Sequence, residues 1–394
     1  MIKQIVSIAA INLRNIPQRW ASSLVIVIGL AGVVAVFSAL LAMSSGFAST
    51  LESTGSTDTA IILRGGSQSE LNSALLRDEV TLLRLEPGIR KGADGKPLAS
   101  AELIVITELL RKGDTRNGAN VTMRGVEPNG FALRPKLHVT EGRMFKPGLR
   151  ELIVGRGVTR QFDGVELGKT LRMRGSEWTV VGIFDSGDSN ESELWTDAEV
   201  AQSTFNRRGF SSLLAGLEKP EADAIRKLQA AAKADPRLNV DVQTQQHYFS
   251  DQTKQFRRTI GGLAFVVTLI MALGAIFAAL NTMYAAVAAR SKEIATLRAL
   301  GFGGLAVMVS VMIEAVVLSL VGGAIGAALA YVLFNNISVS TLGQNFTQVV
   351  FAFKVTPQLV VTGLVIAMAV GFVGGLLPAV RAARMRVTDA LRAG

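Results

Sequence analysis

The stretch LVIVIGLAGVVAVFSALLAM at residues 24–43 contains no charged side chain in twenty consecutive positions. About 20 apolar residues in a helix are enough to cross the hydrocarbon core of a bilayer. Two further runs, residues 259–289 and 355–380, also contain no charged side chain, and residues 299–353 contain only one, Glu314. This last run is long enough for one span followed by a loop. The sequence therefore predicts an α-helical membrane protein with four transmembrane helices.

The composition agrees with this prediction and excludes several kinds of site. Of the 394 residues, 49% are hydrophobic and 18% are charged, whereas soluble chains carry about 25% charged residues. The absence of cysteine excludes disulfide bonds, thiol catalysis and cysteine-bound zinc. The two histidines, His138 and His247, lie far apart without an acidic cluster at ligand spacing, so we expect no histidine metal site.

Basic residues are distributed unevenly among the short segments outside the spans. Residues 1–21, 289–304 and 381–394 together carry ten Lys and Arg residues, whereas residues 335–356 carry only Lys354. Loops rich in Lys and Arg stay in the cytoplasm, so we expect both termini and the loop 289–304 to be cytoplasmic. These segments also account for most of the net charge of +10, and we therefore expect no nucleic-acid partner.

The predicted segments follow from these spans and this orientation. The first apolar run exceeds the about 7–15 residues of a secretory signal's apolar region, so we interpret it as an anchor. In chain order we expect a cytoplasmic amphipathic helix (1–21), span one (22–46), an exported core domain (47–257), span two (258–288), a cytoplasmic loop (289–304), span three (305–334), a short external loop (335–356), span four (357–380) and a cytoplasmic tail (381–394).

The segment between spans one and two is too long for a loop and has a domain's patterning. Its two ends look alike: strand, helix and strand patterns occupy 60–63, 70–85 and 103–107, and again 211–217, the stretch after Pro220, and 240–242. Two such β-α-β units flanking an insertion predict a split α/β subdomain. The insertion, about 115–205, is predicted to be a β-rich subdomain, with a tight turn at 174–176 between strands 170–173 and 178–184.

Residues 164–170, GVELGKT, superficially resemble a phosphate-binding loop. That loop needs four residues between its glycines and a helix after it. Here three residues separate Gly164 from Gly168, and a strand pattern follows. We therefore interpret this segment as a turn that leads into a strand.

Two cytoplasmic segments are predicted to be short helices. Residues 2–19 carry apolar side chains at helical spacing and end near Pro17, which predicts an amphipathic helix lying on membrane lipids. In the loop 289–304, Ser291 is a candidate N-cap for a helix over 292–300, with Gly301 at its end. Its apolar residues Ile294, Leu297 and Leu300 recur every three positions, flanked by Glu293 and Arg298. This stripe is expected to lie on lipid headgroups or to dock in a groove of a partner.

The run EIATLRALG at 293–301 closely resembles the cytoplasmic loop of the FtsX/MacB-type ABC transporter permeases, whose pattern is E-I, two residues, then L-R-A-L-G. Further similarities are Glu314 followed by Gly322, Gly323 and Gly326, the tail motifs at 378–379, 382–384 and 390–392, and the exported-domain motifs at 153–155, 168–170 and 180–184. The chain departs from the family at Ser291-Lys292, where a basic pair is common, and at 302–304, which are often basic.

The resemblance implies a permease of the bacterial inner membrane, with a periplasmic core domain. The coupling residues would be Glu293, Ile294, Leu297, Arg298, Leu300 and Gly301, seated in a separate cytoplasmic ATPase subunit. ATP and Mg would bind to that ATPase; this chain would bind no cofactor or metal and would not itself be an enzyme. The family resemblance also implies a dimer with a second copy or a paralogue.

Glu314 is the one ionisable residue well inside a predicted span, which makes it a functional candidate. The alternative is a hydrogen-bonded structural carboxyl near a helix end. The spacings Gly322-x-x-x-Gly326 and Gly371-x-x-x-Gly375 let helices approach closely. We expect them to pack within one subunit rather than at a dimer seam.

Two functions remain open at this stage. The first is export or extrusion of a peptide, a lipid or lipoprotein, or an amphiphilic drug by mechanotransmission, with a membrane-fusion adaptor and an outer-membrane channel as further partners. The alternative is a non-transporting regulator that activates a periplasmic cell-wall hydrolase. The exported domain of about 210 residues favours the exporter, because division-type members of the family carry a smaller one.

Overall fold

The computed structural model describes residues 2–15, 20–114, 118–342 and 348–385. The described helices, numbered in chain order, are α1 Ile2–Arg14, α2 Trp20–Thr54, α3 Arg77–Arg84, α4 Asn129–Ala132, α5 Arg156–Gln161, α6 Ala198–Thr204, α7 Glu221–Ala234, α8 Gln245–Ala289, α9 Ser291–Ala299, α10 Gly304–Phe334 and α11 Pro357–Arg384. The strands are β1 Thr59–Arg64, β2 Ala99–Leu110, β3 Gly118–Val126, β4 His138–Gly142, β5 Glu151–Gly155, β6 Thr170–Met173, β7 Ser176–Asp185, β8 Glu193–Asp197, β9 Ser212–Gly216, β10 Val240–Thr244, β11 Ser338–Leu342 and β12 Gln348–Ala352.

The chain forms two compact units. The helical unit comprises residues 1–46, 257–337 and 353–394, and the sheet unit comprises residues 47–256 and 338–352. Four of the described helices, α2, α8, α10 and α11, are long and apolar enough to cross a membrane. The predicted fold class, four transmembrane helices with a large α+β domain, is confirmed. Pro17 and the tail motif at 390–392 lie outside the described residues.

Small residues bring the long helices of the helical unit together. A Cβ added at Gly326 of α10 would lie 2.4 Å from the carbonyl oxygen of Ala31 in α2. A Cβ at Gly371 of α11 would lie 2.3 Å from the Ser319 hydroxyl in α10. Such distances are possible only because glycine has no side chain. Both glycine pairs therefore pack within one chain, as the sequence predicted.

The sheet unit is built on one mixed ten-stranded sheet. Its strand order is β10-β1-β9-β2-β3-β8-β5-β7-β4, with β6 paired to β7. The long strand β2 joins the two subdomains, because residues 99–102 pair with β9 and residues 103–110 pair with β3. One apolar core lies around β1, β9, α3 and α7, and another surrounds Trp178 and Phe162 in the insertion.

Two local predictions in the sheet unit had different outcomes. The helix expected over 70–85 was wrong in extent: a 3₁₀ turn spans Glu70–Asn72, and α3 begins only at Arg77. Leu75 exchanges two backbone hydrogen bonds with Phe210, of 2.7 and 2.8 Å, and this pairing interrupts the helix. The hairpin at 174–176 is confirmed, since Arg174 and Gly175 both adopt positive φ, 50° and 73°, as a type I′ turn requires.

Residues 335–356, predicted as a loop, contain the antiparallel hairpin of β11 and β12, which the sequence analysis did not foresee. This hairpin belongs to the sheet unit. The Val350 amide donates to the Ser192 hydroxyl at 2.9 Å, and the Phe351 ring lies edge-on to Phe47 with centroids 5.5 Å apart.

Candidate coupling site

Helix α9 forms the turn between α8 and α10. Its N-cap is Arg290, with no side-chain capping bond, so the prediction that Ser291 caps the helix was wrong by one position. Gly301 follows the C-cap residue Leu300 with a φ of 94°, a conformation that ends helices and strongly favours glycine. The helix is therefore confined to nine residues between two well-defined ends.

The apolar stripe of α9 turns inward rather than outward. Ile294 and Ala295 are buried in the core of the helical unit, and Leu297 packs against that core. Successive helical residues rotate by about 100°, so positions at a spacing of three drift backwards around the helix. Leu300 has consequently left the buried face, and 73% of it is exposed. The expectation that the whole stripe faces lipid or a partner was wrong.

The outward face of α9 and its end consists of polar and small residues beside one large apolar side chain. Its exposed members are Lys292, Glu293, Thr296, Ala299, Leu300 and Gly301. Of the six predicted coupling residues, Glu293, Leu300 and Gly301 thus lie on the surface, whereas Ile294 and Leu297 face the core. We call this exposed set the outer face of α9.

Arg298, the sixth predicted coupling residue, contacts α11. Its Nη1 donates to the carbonyl oxygens of Ala383 and Met385, each at 2.8 Å. The last carbonyls of a helix have no partner within the helix, and a cation beside them also interacts favourably with the helix dipole. Arg298 therefore satisfies the end of α11.

Glu314 in α10 forms a buried, bidentate ion pair with Arg290. Arg290 Nη1 lies 2.9 Å from Glu314 Oε2, and Nη2 lies 3.0 Å from Oε1. Each residue is 5% exposed. Nearby, the Asn12 amide of α1 donates to the Ser310 hydroxyl at 2.6 Å. The geometry matches the structural alternative for Glu314, a hydrogen-bonded carboxyl, and supplies its partner.

A second group of buried charges lies in the sheet unit. The Arg124 guanidinium on β3 donates to Glu70, Glu102 and Glu193 over distances of 2.7–3.1 Å. Arg134 donates to both oxygens of Glu102, at 2.6 and 2.7 Å. We call these five residues the Arg124 cluster. Because Glu70 follows β1 and Glu193 begins β8, the cluster joins the split subdomain to the insertion.

Neutral donors complete the Arg124 cluster. Ser212 donates to Glu70 at 2.7 Å, and the Trp195 indole donates to Glu193 at 2.7 Å. The Glu70 amide donates to the Tyr248 hydroxyl at 3.1 Å. Burial by itself raises the pKa of a carboxyl, but the guanidiniums of Arg134 and Arg124 outweigh it and hold the pKa of Glu102 below its ordinary value.

Comparison with known proteins decides the family. Residues 20–243 match the MacB-like periplasmic core domain, and residues 265–387 match the FtsX-like permease C-terminal domain. The chain belongs to the MacB/FtsX-type ABC transporter permeases. As a member of this family, the permease works with a cytoplasmic ATP-binding partner.

Several relatives of the permease are similar over different shares of their length. The uncharacterized ABC transporter permease YvrN of Bacillus subtilis (strain 168) is 24% identical over 93% of both chains. The macrolide export ATP-binding/permease protein MacB 2 of Yersinia pestis bv. Antiqua (strain Antiqua) is 31% identical over 38% of this chain and 21% of its own. The crystal structure of the periplasmic region of MacB from Actinobacillus actinomycetemcomitans aligns over 53% of this chain and 94% of its own, with 13% identity and a TM-score of 0.38.

Sequence analysis of the permease missed the partners of its buried charges. Arg290 was counted only as a basic residue of a cytoplasmic loop, although it follows α8 directly and precedes α9. Arg290 lies 24 positions from Glu314 and in a different element, so the spacing of residues along one helix could not pair them. The three glutamates of the Arg124 cluster lie 22 to 69 positions from Arg124, on elements that only the sheet order brings together.

Proposed function

We propose that this permease transmits ATP hydrolysis on a separate cytoplasmic ATPase into conformational change of its sheet unit in the periplasm. ATP and Mg bind to the ATPase in this proposal, and the permease acts as a dimer with a second copy or a paralogue in the bacterial inner membrane. Both termini and α9 face the cytoplasm. The work done is export or extrusion of a peptide, a lipid or lipoprotein, or an amphiphilic drug.

The observation that carries this proposal is the outer face of α9. Leu300 is 73% exposed beside Glu293 and Gly301, while the opposite face of the same helix is buried in the core. A protruding leucine at the end of a short, well-held helix is suited to fill an apolar pocket of a partner, because burial of its exposed side chain contributes about 1.5–3 kcal/mol. Three of the predicted coupling residues therefore supply the proposed docking surface.

The test is purification of the tagged permease from its host in mild detergent, with Leu300→Asp compared to the unchanged chain. We expect a stoichiometric ATP-binding subunit, and we expect Leu300→Asp to weaken its binding at least about tenfold, the effect of losing roughly 1.4 kcal/mol at an interface. Leu85→Asp is the matched control, because Leu85 of the sheet unit is 76% exposed and far along the chain from α9. Equal retention of the ATPase by Leu300→Asp and Leu85→Asp would contradict the proposal.

The same purification separates the two kinds of work. An adaptor and an outer-membrane channel in the complex support export. A cell-wall hydrolase in their place supports the regulator, in which the sheet unit activates a periplasmic enzyme and moves no cargo.

A further inference from the structure

We infer that Arg290 and Arg298 are positioning residues that clamp the two ends of α9 to α10 and α11, so that a displacement of α9 is passed to both long helices. The inference rests on the proposed function, because it takes α9 to be the segment that the ATPase moves. It assigns a role to Glu314 as well, as the acceptor of the first clamp.

The covalent connection from α9 to α10 is too flexible to perform this task. Residues 301–304 read Gly-Phe-Gly-Gly, and Gly301 and Gly303 have open space around the position of a Cβ. Glycine restricts the backbone less than any other residue. Phe302 packs against the core and its amide donates to the Leu297 carbonyl at 3.1 Å, but rotation at the glycines on either side of it would still absorb much of a push on α9 unless other contacts hold the helix.

The buried face of α9 does not fix its direction either. Ile294, Ala295 and Leu297 pack against the core through apolar contacts. The hydrophobic effect is non-directional, so burial of these side chains holds α9 against the core without fixing its orientation through specific contacts. Directional contacts are needed to make α9 move as one body with its neighbours.

The first clamp is the ion pair at the start of α9. Both guanidinium Nη atoms of Arg290 bind the two oxygens of Glu314, which fixes the relative orientation of two planar groups. Glu314 is the eleventh residue of α10, about 15 Å along that helix at 1.5 Å per residue. The pair thus ties the start of α9 to the interior of α10 rather than to its flexible beginning.

The second clamp is at the other end of α9. Arg298 Nη1 bridges the carbonyl oxygens of Ala383 and Met385 at the end of α11. A single donor shared by two carbonyls holds the last turn of α9 against that end. Gly304 adds to this contact, since a Cβ there would lie 2.8 Å from the same Ala383 oxygen.

The test uses spin labels on two introduced cysteines, and the chain has no native cysteine that would have to be removed first. The full permease is reconstituted in nanodiscs with its ATPase, and labels at Ser291 of α9 and Val321 of α10 report their separation by pulsed electron resonance. Ser291 lies outside the outer face of α9, so its label leaves the proposed docking surface intact, and Val321 is exposed. In the unchanged protein we expect this separation to stay constant when ATP is added, because α9 and α10 move together.

The decisive variant replaces the ion pair as a whole, Arg290→Met with Glu314→Met. Two apolar side chains of similar size leave no lone charge buried, so the fold is retained. We expect the ATPase to stay bound, while ATP now shifts the α9–α10 separation and the ATP-driven movement of α10 is lost. The charge swap Arg290→Glu with Glu314→Arg should restore the constant separation in part.

A matched control and a second variant keep the inference falsifiable. Arg381→Met removes a guanidinium at the same end of α11 that lies over the Tyr284 ring, 5.5 Å from its centroid, and it should leave the separation constant. Arg298→Met removes the second clamp without touching a buried ion pair, and labels at Ser291 of α9 and Phe372 of α11 should then separate with ATP. A constant separation in both clamp variants, with the ATPase bound, would overturn the inference. Loss of ATPase from Leu300→Asp alone bears only on the docking proposal.

Discussion

Arg124 in the sheet unit and Arg290 in the helical unit both bury a guanidinium, but their surroundings differ. Every nitrogen of Arg124 donates to a carboxylate, and three glutamates share it. Arg290 has one carboxylate, and its Nε has no hydrogen-bond partner among the described residues. The sheet unit thus has a many-membered network that joins two subdomains, whereas the helical unit has a single pair that joins two helices.

The difference shows how each unit obtains a unique packing. Strands already fix one another through backbone ladders, and the Arg124 cluster adds a polar connection where β2, β3, β8 and the 3₁₀ turn at Glu70 contribute to one site. Long apolar helices have no such ladder between them, so their positions depend on close approach at glycines and on polar contacts such as the Arg290–Glu314 pair. Loss of Arg124 should therefore affect stability most, while loss of the Arg290 pair as a whole should affect movement.

The largest expected effect is that of Arg124→Met. The substitution leaves Glu70, Glu102 and Glu193 buried with only one guanidinium, that of Arg134, and breaking a buried pair in this way costs about 3–5 kcal/mol. Thermal unfolding of the full permease, followed by its tryptophan fluorescence, to which Trp195 beside Glu193 contributes, measures the loss. An unfolding temperature within a degree of the unchanged protein would contradict this account of the cluster.

The stability of the helical unit should be more sensitive to a substitution at a close-packed glycine than to replacement of the Arg290–Glu314 pair as a whole. Gly326→Ala puts a methyl group 2.4 Å from the Ala31 oxygen, and backbone atoms cannot yield, so we expect a loss of about 1–3 kcal/mol. Gly274→Ala in α8 is the control, since nothing lies within 4 Å of its Cβ position. In a helix the control exchange should be neutral or stabilising by up to about 1 kcal/mol. Equal unfolding temperatures for the two variants would show that α2 and α10 do not approach as described.

Tyr248→Phe should have a smaller effect, confined to one edge of the Arg124 cluster. The variant removes the hydroxyl that accepts from the Glu70 amide at 3.1 Å, and one lost hydrogen bond costs about 1 kcal/mol. Hydrogen exchange measured by mass spectrometry should become faster in the peptide that contains Glu70. Unchanged exchange there, with an intact fold, would exclude Tyr248 as a member of the network.

These comparisons explain what the sequence can and cannot predict. The spans are evident because a bilayer requires long uncharged runs, and the turn at Arg174-Gly175 is evident because few residues adopt its backbone angles. The burial of Ile294 was not predicted, because apolar residues at a spacing of three form the same stripe whether that side of α9 faces the core or the solvent. The partners of Arg290 and Arg124 were missed because tertiary packing brings them together across tens of residues. The sequence shows that Glu314 lies in an apolar run, but it shows neither the residue that neutralises it nor the burial of Arg290 and Arg124.

The smallest expected effect is that of a substitution at Asp188, beside the Arg124 cluster. Its pH dependence is opposite to that of Glu102. Burial raises the pKa of Asp188 above its ordinary value, outweighing the donors at Ser186 and Asn190. A raised folded-state pKa contributes stability that is present below the unfolded pKa and is lost as pH rises through the folded one. Asp188→Asn should therefore stabilise the protein slightly at pH 7, and this advantage should shrink as the pH falls and Asp188 becomes protonated. Glu102, whose pKa is lowered, has the reverse dependence, but it is present in both the unchanged protein and the Asp188→Asn variant. The difference between their unfolding temperatures, measured as a function of pH, therefore reports on Asp188. A difference that grows on acidification would contradict the assigned direction.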